Sequence, residues 1–326
     1  MDSRANAGRP VNASALRVAV ADAWMLSLAP ALPVWMPWPL AYRFYRSVAR
    51  DEGLYRDAVD GAMVALEALP ISDPDAFRHD VRTTLLLDVA DLHLSRRHPV
   101  DWLPAHVTLE GQWPDARAFV AVTFHYGTGL WICRALRRAG HRSCFLSARF
   151  EAEAFARRPQ LHRYGLRRLA EVERVGGTPI AYRPGVRESL LRTLAEGTPV
   201  IGLIDLPPRL APRGQLPLQL LDRPASLPCG LLELAHAADV PIVPCWVEID
   251  FATGHRRVVI GEARRPMPVE PVLADLAASL DALIRRQPGA WMFWPEWRAW
   301  LHDAAPLHAE TFSNGGPEGR LVPISK

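Results

Sequence analysis

Residues 118–124, AFVAVTF, narrow the folds open to this chain more than any other stretch. The run is apolar, rich in β-branched residues and bounded upstream by Pro114 and Asp115, so it reads as a buried strand. A glycine-containing turn, Tyr126-Gly127-Thr128-Gly129, follows it. Leu130, Trp131, Cys133 and Leu136 then recur at helical intervals, with Arg134, Arg137 and Arg138 on other faces. His125 therefore falls where a strand gives way to a helix, the place from which α/β sheets present reactive side chains. The unperturbed pKa of histidine lies near neutrality, which makes His125 a candidate general base. On this segment alone it suits equally a histidine that closes the strand end and hydrogen-bonds the turn.

The same alternation continues to the end of the chain. Apolar runs at 143–147, 178–182, 199–204, 216–221, 241–247 and 257–260 read as strands, preceded by a short one at 107–111. Amphipathic stretches at 157–174, 185–195, 228–238 and 269–286 read as helices. This order implies an α/β fold with a mostly parallel central sheet flanked by helices. Upstream, 53–69 and 74–97 read as helices, the second capped by Ser72-Asp73. The resulting organisation is a flexible N-terminus (1–15), an N-terminal helical, membrane-contacting region (16–100), an α/β domain (101–305) and a flexible tail (306–326).

Residues 23–42 carry no charge, and the length would just span a bilayer. Pro30, Pro33, Pro37 and Pro39 argue against a straight spanning helix, and Asp22 with those prolines argues against a secretory signal. Trp24, Trp35 and Trp38 suit headgroup depth, and Arg43, Arg46 and Arg50 follow at once. An interfacial membrane contact is the favoured expectation; a proline-broken hairpin packed on the domain is the competing one. Near the C-terminus Trp291, Trp294, Trp297 and Trp300 recur every three residues, a stripe that fits the core or an extension of the membrane-facing surface.

The formal net charge of +3 is too small to imply nucleic-acid binding. Cys133, Cys144, Cys229 and Cys245 form no C-x-x-C pair and no zinc-like spacing, so they read as buried thiols rather than metal ligands. No G-x-S-x-G nucleophile elbow and no P-loop is present.

Several segments, in order, carry a resemblance: VTLEG (107–111), the His125-x-Gly127 strand end, Arg149 at the next strand end, LAEGTPVIGLIDLPPR (194–209), ASLPCGLLELAHAADVPIVP (225–244) and QPGAWMFWPEW (287–297). The series resembles the late acyltransferases of lipid A synthesis, the lauroyl/myristoyl transferase group within the lysophospholipid acyltransferase family, over roughly residues 24–302. The resemblance implies a glycerolipid-acyltransferase-like fold and a membrane-associated enzyme at the cytoplasmic face of the bacterial inner membrane. Such enzymes move a fatty acyl chain from acyl carrier protein or coenzyme A, as co-substrate, to a hydroxyl or amine of a lipid or glycolipid acceptor. It implies no further cofactor and no metal.

Family members place an Asp or Glu five residues after the histidine, a carboxylate that steadies the imidazole while it removes the acceptor proton. Here that position is Leu130. Three outcomes follow: His125 is supported by another carboxylate, Asp205 or Glu296; the enzyme is slow and relies on positioning and oxyanion stabilisation; or a catalytically impaired protein binds lipid or acyl carrier protein without turnover. Arg149 matches a family arginine that engages acceptor phosphate, its alternative being an ion pair with Glu151 or Glu153. Asp205 matches an acidic strand-end position and is grouped with Arg149 and Arg209 as substrate-contacting, its alternative being a turn cap before Pro207. An apolar groove beside His125 would hold the acyl chain. Arg134, Arg137, Arg138, Arg157, Arg158, Arg167 and Arg168 form a basic flank suited to an acidic carrier protein or lipid headgroups, or simply a solvated surface.

Overall fold

The computed structural model describes residues 20–303; the flexible ends expected at 1–15 and 306–326 lie outside the described residues. Among the described residues nine strands form in chain order: β1 (Val107–Glu110), β2 (Val120–Thr123), β3 (Cys144–Ala148), β4 (Ala181–Arg183), β5 (Val200–Leu203), β6 (Gln215–Leu220), β7 (Arg223–Pro228), β8 (Ile242–Ile249) and β9 (Arg256–Ile260). Seven of them make one sheet in the order β1-β9-β8-β2-β5-β3-β4. β2 is buried along its whole length and pairs in parallel with β5 on one side and β8 on the other.

Alternating side chains explain why β2 is apolar throughout. Val120, Val122 and Phe124 join a core that contains Leu190, Leu194, Leu232, Leu273 and Leu280 from the helices Arg187–Ala195, Gly230–Ala237 and Val269–Arg286. Phe119 and Ala121 face the other way, into a core built on the helices Leu130–Arg138 and Pro159–Gly176. A strand sandwiched between two helical layers has no solvent face to which a polar residue would belong.

The sheet is α/β and mostly parallel as expected, with two additions. β9 runs antiparallel to β8 and β1 runs parallel to β9, so both are reversed relative to the rest. β6 and β7 form a separate antiparallel hairpin, closed by Leu221 and Asp222 at φ of 52° and 60°. The Leu221 N–H donates to Asp281 Oδ2 at 2.6 Å, which ties this left-handed turn to the Val269–Arg286 helix.

The single helix expected over 53–69 is instead two, Arg56–Ala62 and Ala65–Ala68. Val59, Ala62, Val64, Ala65 and Leu69 all enter one core. In a continuous helix Val64 would point about 200° away from Ala62, so the break is what turns it inward. The helix Pro74–Ser95 is capped by Asp73, whose carboxylate accepts from Asp75 and Ala76 N–H. Its Phe77 and Val81 lie in the same core as the sheet.

The segment from Trp24 to Trp35 is a succession of π, α and 3-10 turns, followed by the helix Trp38–Val48. Met25, Leu26 and Ala29 pack with Tyr42, Tyr45, Leu86 and Ala90. Val20, Trp24, Leu28, Leu32, Trp35, Met36 and Leu40 are exposed, Trp35 to 79%. The proline-broken element thus packs on the domain and also turns an apolar stripe outward. No helix among the described residues is long and apolar enough to cross a membrane. The tryptophan stripe near the C-terminus belongs to the core: Trp291, Trp294, Trp297 and Trp300 are all buried against one another.

The basic flank is smaller than its sequence suggests. Arg134 is fully buried, bonds Ser95 Oγ at 2.7 Å and lies 3.6 Å from Glu171. Arg168 pairs with Asp88 at 2.6 Å and Arg158 with Asp22 at 2.5 Å. The helices that carry these residues pack against Pro74–Ser95 and the N-terminal turns, so the charges face acids inside the fold. Arg138, Arg157 and Arg167 remain exposed.

Candidate active site

β2 delivers His125 to the carboxyl edge of the sheet, and the turn after it is shaped by a close approach to β8. Gly127 has φ of +64°, and a Cβ there would stand 1.9 Å from the Val247 carbonyl oxygen, so only glycine fits. Its N–H donates to the Ala290 carbonyl at 2.9 Å, and the Met292 N–H donates to the His125 carbonyl at 2.8 Å. The 290–292 segment therefore runs beside the His-Tyr-Gly turn as a strap. Gly129, just before the Leu130–Arg138 helix, fronts open space.

Asp205 reaches the same place from the end of β5, the neighbour of β2. The His125 backbone N–H is shared between Asp205 Oδ1 at 3.0 Å and Oδ2 at 2.9 Å. Asp205 Oδ1 also lies 2.9 Å from His125 Nδ1. A carboxylate only accepts, so Nδ1 carries the hydrogen and the lone pair sits on Nε2. The His125 side chain is 24% exposed and that of Asp205 is 0% exposed. Phe293 stacks on the imidazole with ring centres 3.8 Å apart and planes 20° from parallel, covering one face. The result is an oriented imidazole whose free nitrogen can take a proton, backed by a buried carboxylate that stabilises the imidazolium that forms.

Of the two carboxylates named from sequence as substitutes, Asp205 meets the imidazole, whereas Glu296 pairs with Arg209. Asp205, expected among the substrate-contacting residues, turns its oxygens to His125 and to the Trp291 indole. Leu130, at the family's acidic position, is 1% exposed and forms part of the core under the Leu130–Arg138 helix. Arg209 leaves the loop after Asp205 half-exposed, while Arg183 donates to the Leu210 carbonyl at 2.9 Å and holds that loop. Burial pushes the Arg183 pKa down.

Arg149 follows β3, one strand beyond β5, and its guanidinium lies 4.9 Å from the Tyr182 ring centre. Neither Glu151 nor Glu153 pairs with it, and it does not touch the dyad. A groove of about 500 Å³ lies against the β4 edge, lined by Leu166, Leu169, Pro179 and Tyr182 among others; His125 and Asp205 are not part of it. Among the described residues no cluster of His, Cys, Asp and Glu could hold a metal ion. The four cysteines are buried and free.

The sequence presents Trp291 only as one member of a tryptophan stripe and gives Phe293 no role. Both lie in WMFWPEW, where tryptophan periodicity signals packing and gives no hint that the strap meets a turn about 165 residues earlier. No protein family's sequence profile matches the chain, and no curated protein shows significant similarity to it.

Proposed function

We propose that the protein is an acyltransferase of glycerolipid-acyltransferase-like fold in which His125 is the general base and Asp205 supplies the carboxylate that Leu130 cannot. The observation that carries this reading is the 2.9 Å contact of Asp205 with His125 Nδ1 at the carboxyl end of the central strand. His125 Nε2 takes the proton of an acceptor hydroxyl or amine as its oxygen or nitrogen attacks a thioester carbonyl. The carbon–sulfur bond then breaks, and the departing thiolate of acyl carrier protein or coenzyme A receives that proton from the imidazolium. The ester or amide and a free thiol are the products, and no redox partner is needed.

Several features support the class of substrate. The exposed side chains from Val20 to Leu40 recur mostly every four residues, forming an apolar stripe with tryptophans and with exposed Arg43 and Arg50 beyond it. Such a surface suits a lipid headgroup layer, so a peripheral place on the cytoplasmic face of the inner membrane and a lipid or glycolipid acceptor belong to the proposal. Arg149 and Arg209 are the proposed contacts for acidic groups on the acceptor, and Arg138, Arg157 and Arg167 for the carrier protein or headgroups.

A second reading, a binding protein that has lost turnover, is favoured by Phe293 lying over the imidazole and by the apolar residue at position 130. The test is transfer of a labelled acyl chain, from carrier protein and from coenzyme A in turn, into a total lipid extract. Wild-type protein should transfer and His125→Ala should not. Transfer that survives His125→Ala would sink the catalytic assignment, and lipid or carrier binding with no transfer by either protein would favour the binding reading.

A further inference from the structure

Asp205 is held from two sides, and only one of them is the histidine. The Trp291 Nε1–H donates to Asp205 Oδ2 at 2.9 Å. Trp291 is fully buried, stacked on Trp300 at 5.3 Å and 9°, and edge-on to Trp294 at 4.8 Å and 75°. The indole plane is thus fixed by its neighbours, and its place along the chain is fixed by the strap bonds to His125 and Gly127. Two other indoles of the cluster pack without a carboxylate partner. Trp294 Nε1–H donates to the Pro288 carbonyl at 2.7 Å, and Trp300 Nε1 has no partner among the described residues. Stacking alone therefore does not explain why Trp291 points its donor at Asp205.

We propose that Trp291 is a positioning residue: its indole N–H holds Asp205 Oδ2 and so sets the orientation and basicity of the His125 imidazole. The inference rests on the reading of His125 as the base. With Oδ2 tied to the indole and to the His125 backbone N–H, the carboxylate cannot rotate, and Oδ1 stays on Nδ1. Each neutral donor also draws on the negative charge that the carboxylate shares with the imidazole. Removing the indole donor leaves a stronger acceptor for Nδ1–H and hence a more basic imidazole. No arginine bonds Asp205. The Asp205 carboxylate bonds the imidazole and the Phe293 ring covers one face of it, while Arg209 and Glu296 pair with each other. The indole hydrogen is therefore the adjustable element of the site.

The substitution Trp291→Phe keeps a stacking ring and deletes the donor. The His125 ring titration, followed by nitrogen-edited NMR on the resting protein, should move upward by roughly three- to tenfold in proton affinity. The acid limb of the transfer rate should move with it. Trp300→Phe, a change in the same cluster at an indole without a polar partner, should lower stability and leave the titration in place. A Trp291→Phe titration that superimposes on that of the wild type, or an equal shift in Trp300→Phe, would show that Trp291 only packs and would overturn the proposal. Because the titration needs no turnover, a protein that never transfers an acyl chain would refute the acyltransferase reading while this test still returned its own answer.

Discussion

Two buried aspartates in this fold each accept an indole N–H and differ in their other partner. Asp91, on the Pro74–Ser95 helix, accepts from Trp131 Nε1 at 2.7 Å and from Arg256 Nη2 at 2.5 Å. Asp205 accepts from Trp291 Nε1 and from His125. Both carboxylates are essentially sealed from water. Arg256 is a permanent cation, itself fully buried beneath the Trp38 ring at 4.4 Å, so Asp91 is neutralised in every state of the protein. The partner of Asp205 is an imidazole, a group that can take up and release a proton. One pair fastens the Pro74–Ser95 helix to β9; the other leaves negative charge for an imidazolium to meet. Chemical partner, more than burial, distinguishes the two acids.

The largest effect expected from breaking this contrast is at Asp205. Asp205→Asn keeps the shape and removes the charge, and acyl transfer should fall by about three to four orders of magnitude, as in triads whose carboxylate is replaced by an amide. Single-turnover transfer measures it, and a loss below about tenfold would show that the carboxylate does not act through the base. Asp91→Asn should do the reverse. It leaves the Arg256 guanidinium buried without a counter-charge, so denaturant unfolding should show a loss of about 3–5 kcal/mol, with the His125 titration unmoved.

A third carboxylate sharpens the comparison. Leu130→Glu restores the residue type of the resembled family, but here the side chain would enter the packed apolar core that also holds Trp131 and Val247. It should cost on the order of 3 kcal/mol in chemical unfolding and bring no gain in rate. A faster, equally stable variant would mean that position 130 faces His125 after all.

The smallest effect concerns acid. Burial, reinforced by Arg256, pushes the His106 pKa down to about 2, and burial with Arg46 lowers that of His79 to about 4. His106 stacks on Trp38 at 3.7 Å and His79 Nε2 meets the Arg46 carbonyl at 2.9 Å, so both lie under the Trp38–Val48 helix. The unfolded chain binds these protons below about pH 6.5 while the folded chain refuses them. Their stabilisation is thus complete above about pH 6.5 and is lost as the pH falls from there toward the folded values. His106→Phe should remove ~1–2 kcal/mol of the stability lost between pH 6.5 and 5, seen as a flatter profile of unfolding midpoints.

Much of this architecture was legible because a strand between two helical layers must be apolar on every side, and the runs at 118–124, 199–204 and 241–247 are. The helix Val269–Arg286 has the bounds its periodicity indicates. Strand direction was not legible: nothing in 107–111 or 257–260 shows that β1 and β9 run against the rest, because pairing partners are set by tertiary contacts. β7 escaped notice since Pro224 and Pro228 interrupt its pattern, which an isolated hairpin tolerates. At the site, His125 and Asp205 stood out as polar residues ending apolar runs. Trp291 did not, because a tryptophan that bonds a carboxylate and one that only packs look alike in sequence. Arg134 likewise resembled its exposed neighbours until Glu171 and Ser95 were brought to it.

The strap that closes over the His-Tyr-Gly turn comes from residues 290–292, far along the chain from the turn it clasps. During synthesis the histidine and its aspartate leave the ribosome long before Trp291 and Phe293 do. A nascent or prematurely ended chain lacking 290–293 holds both members of the dyad without the indole that steadies one and the ring that covers the other. The dyad is therefore complete, steadied and covered, only once residues 290–293 have been made and have folded back over the turn.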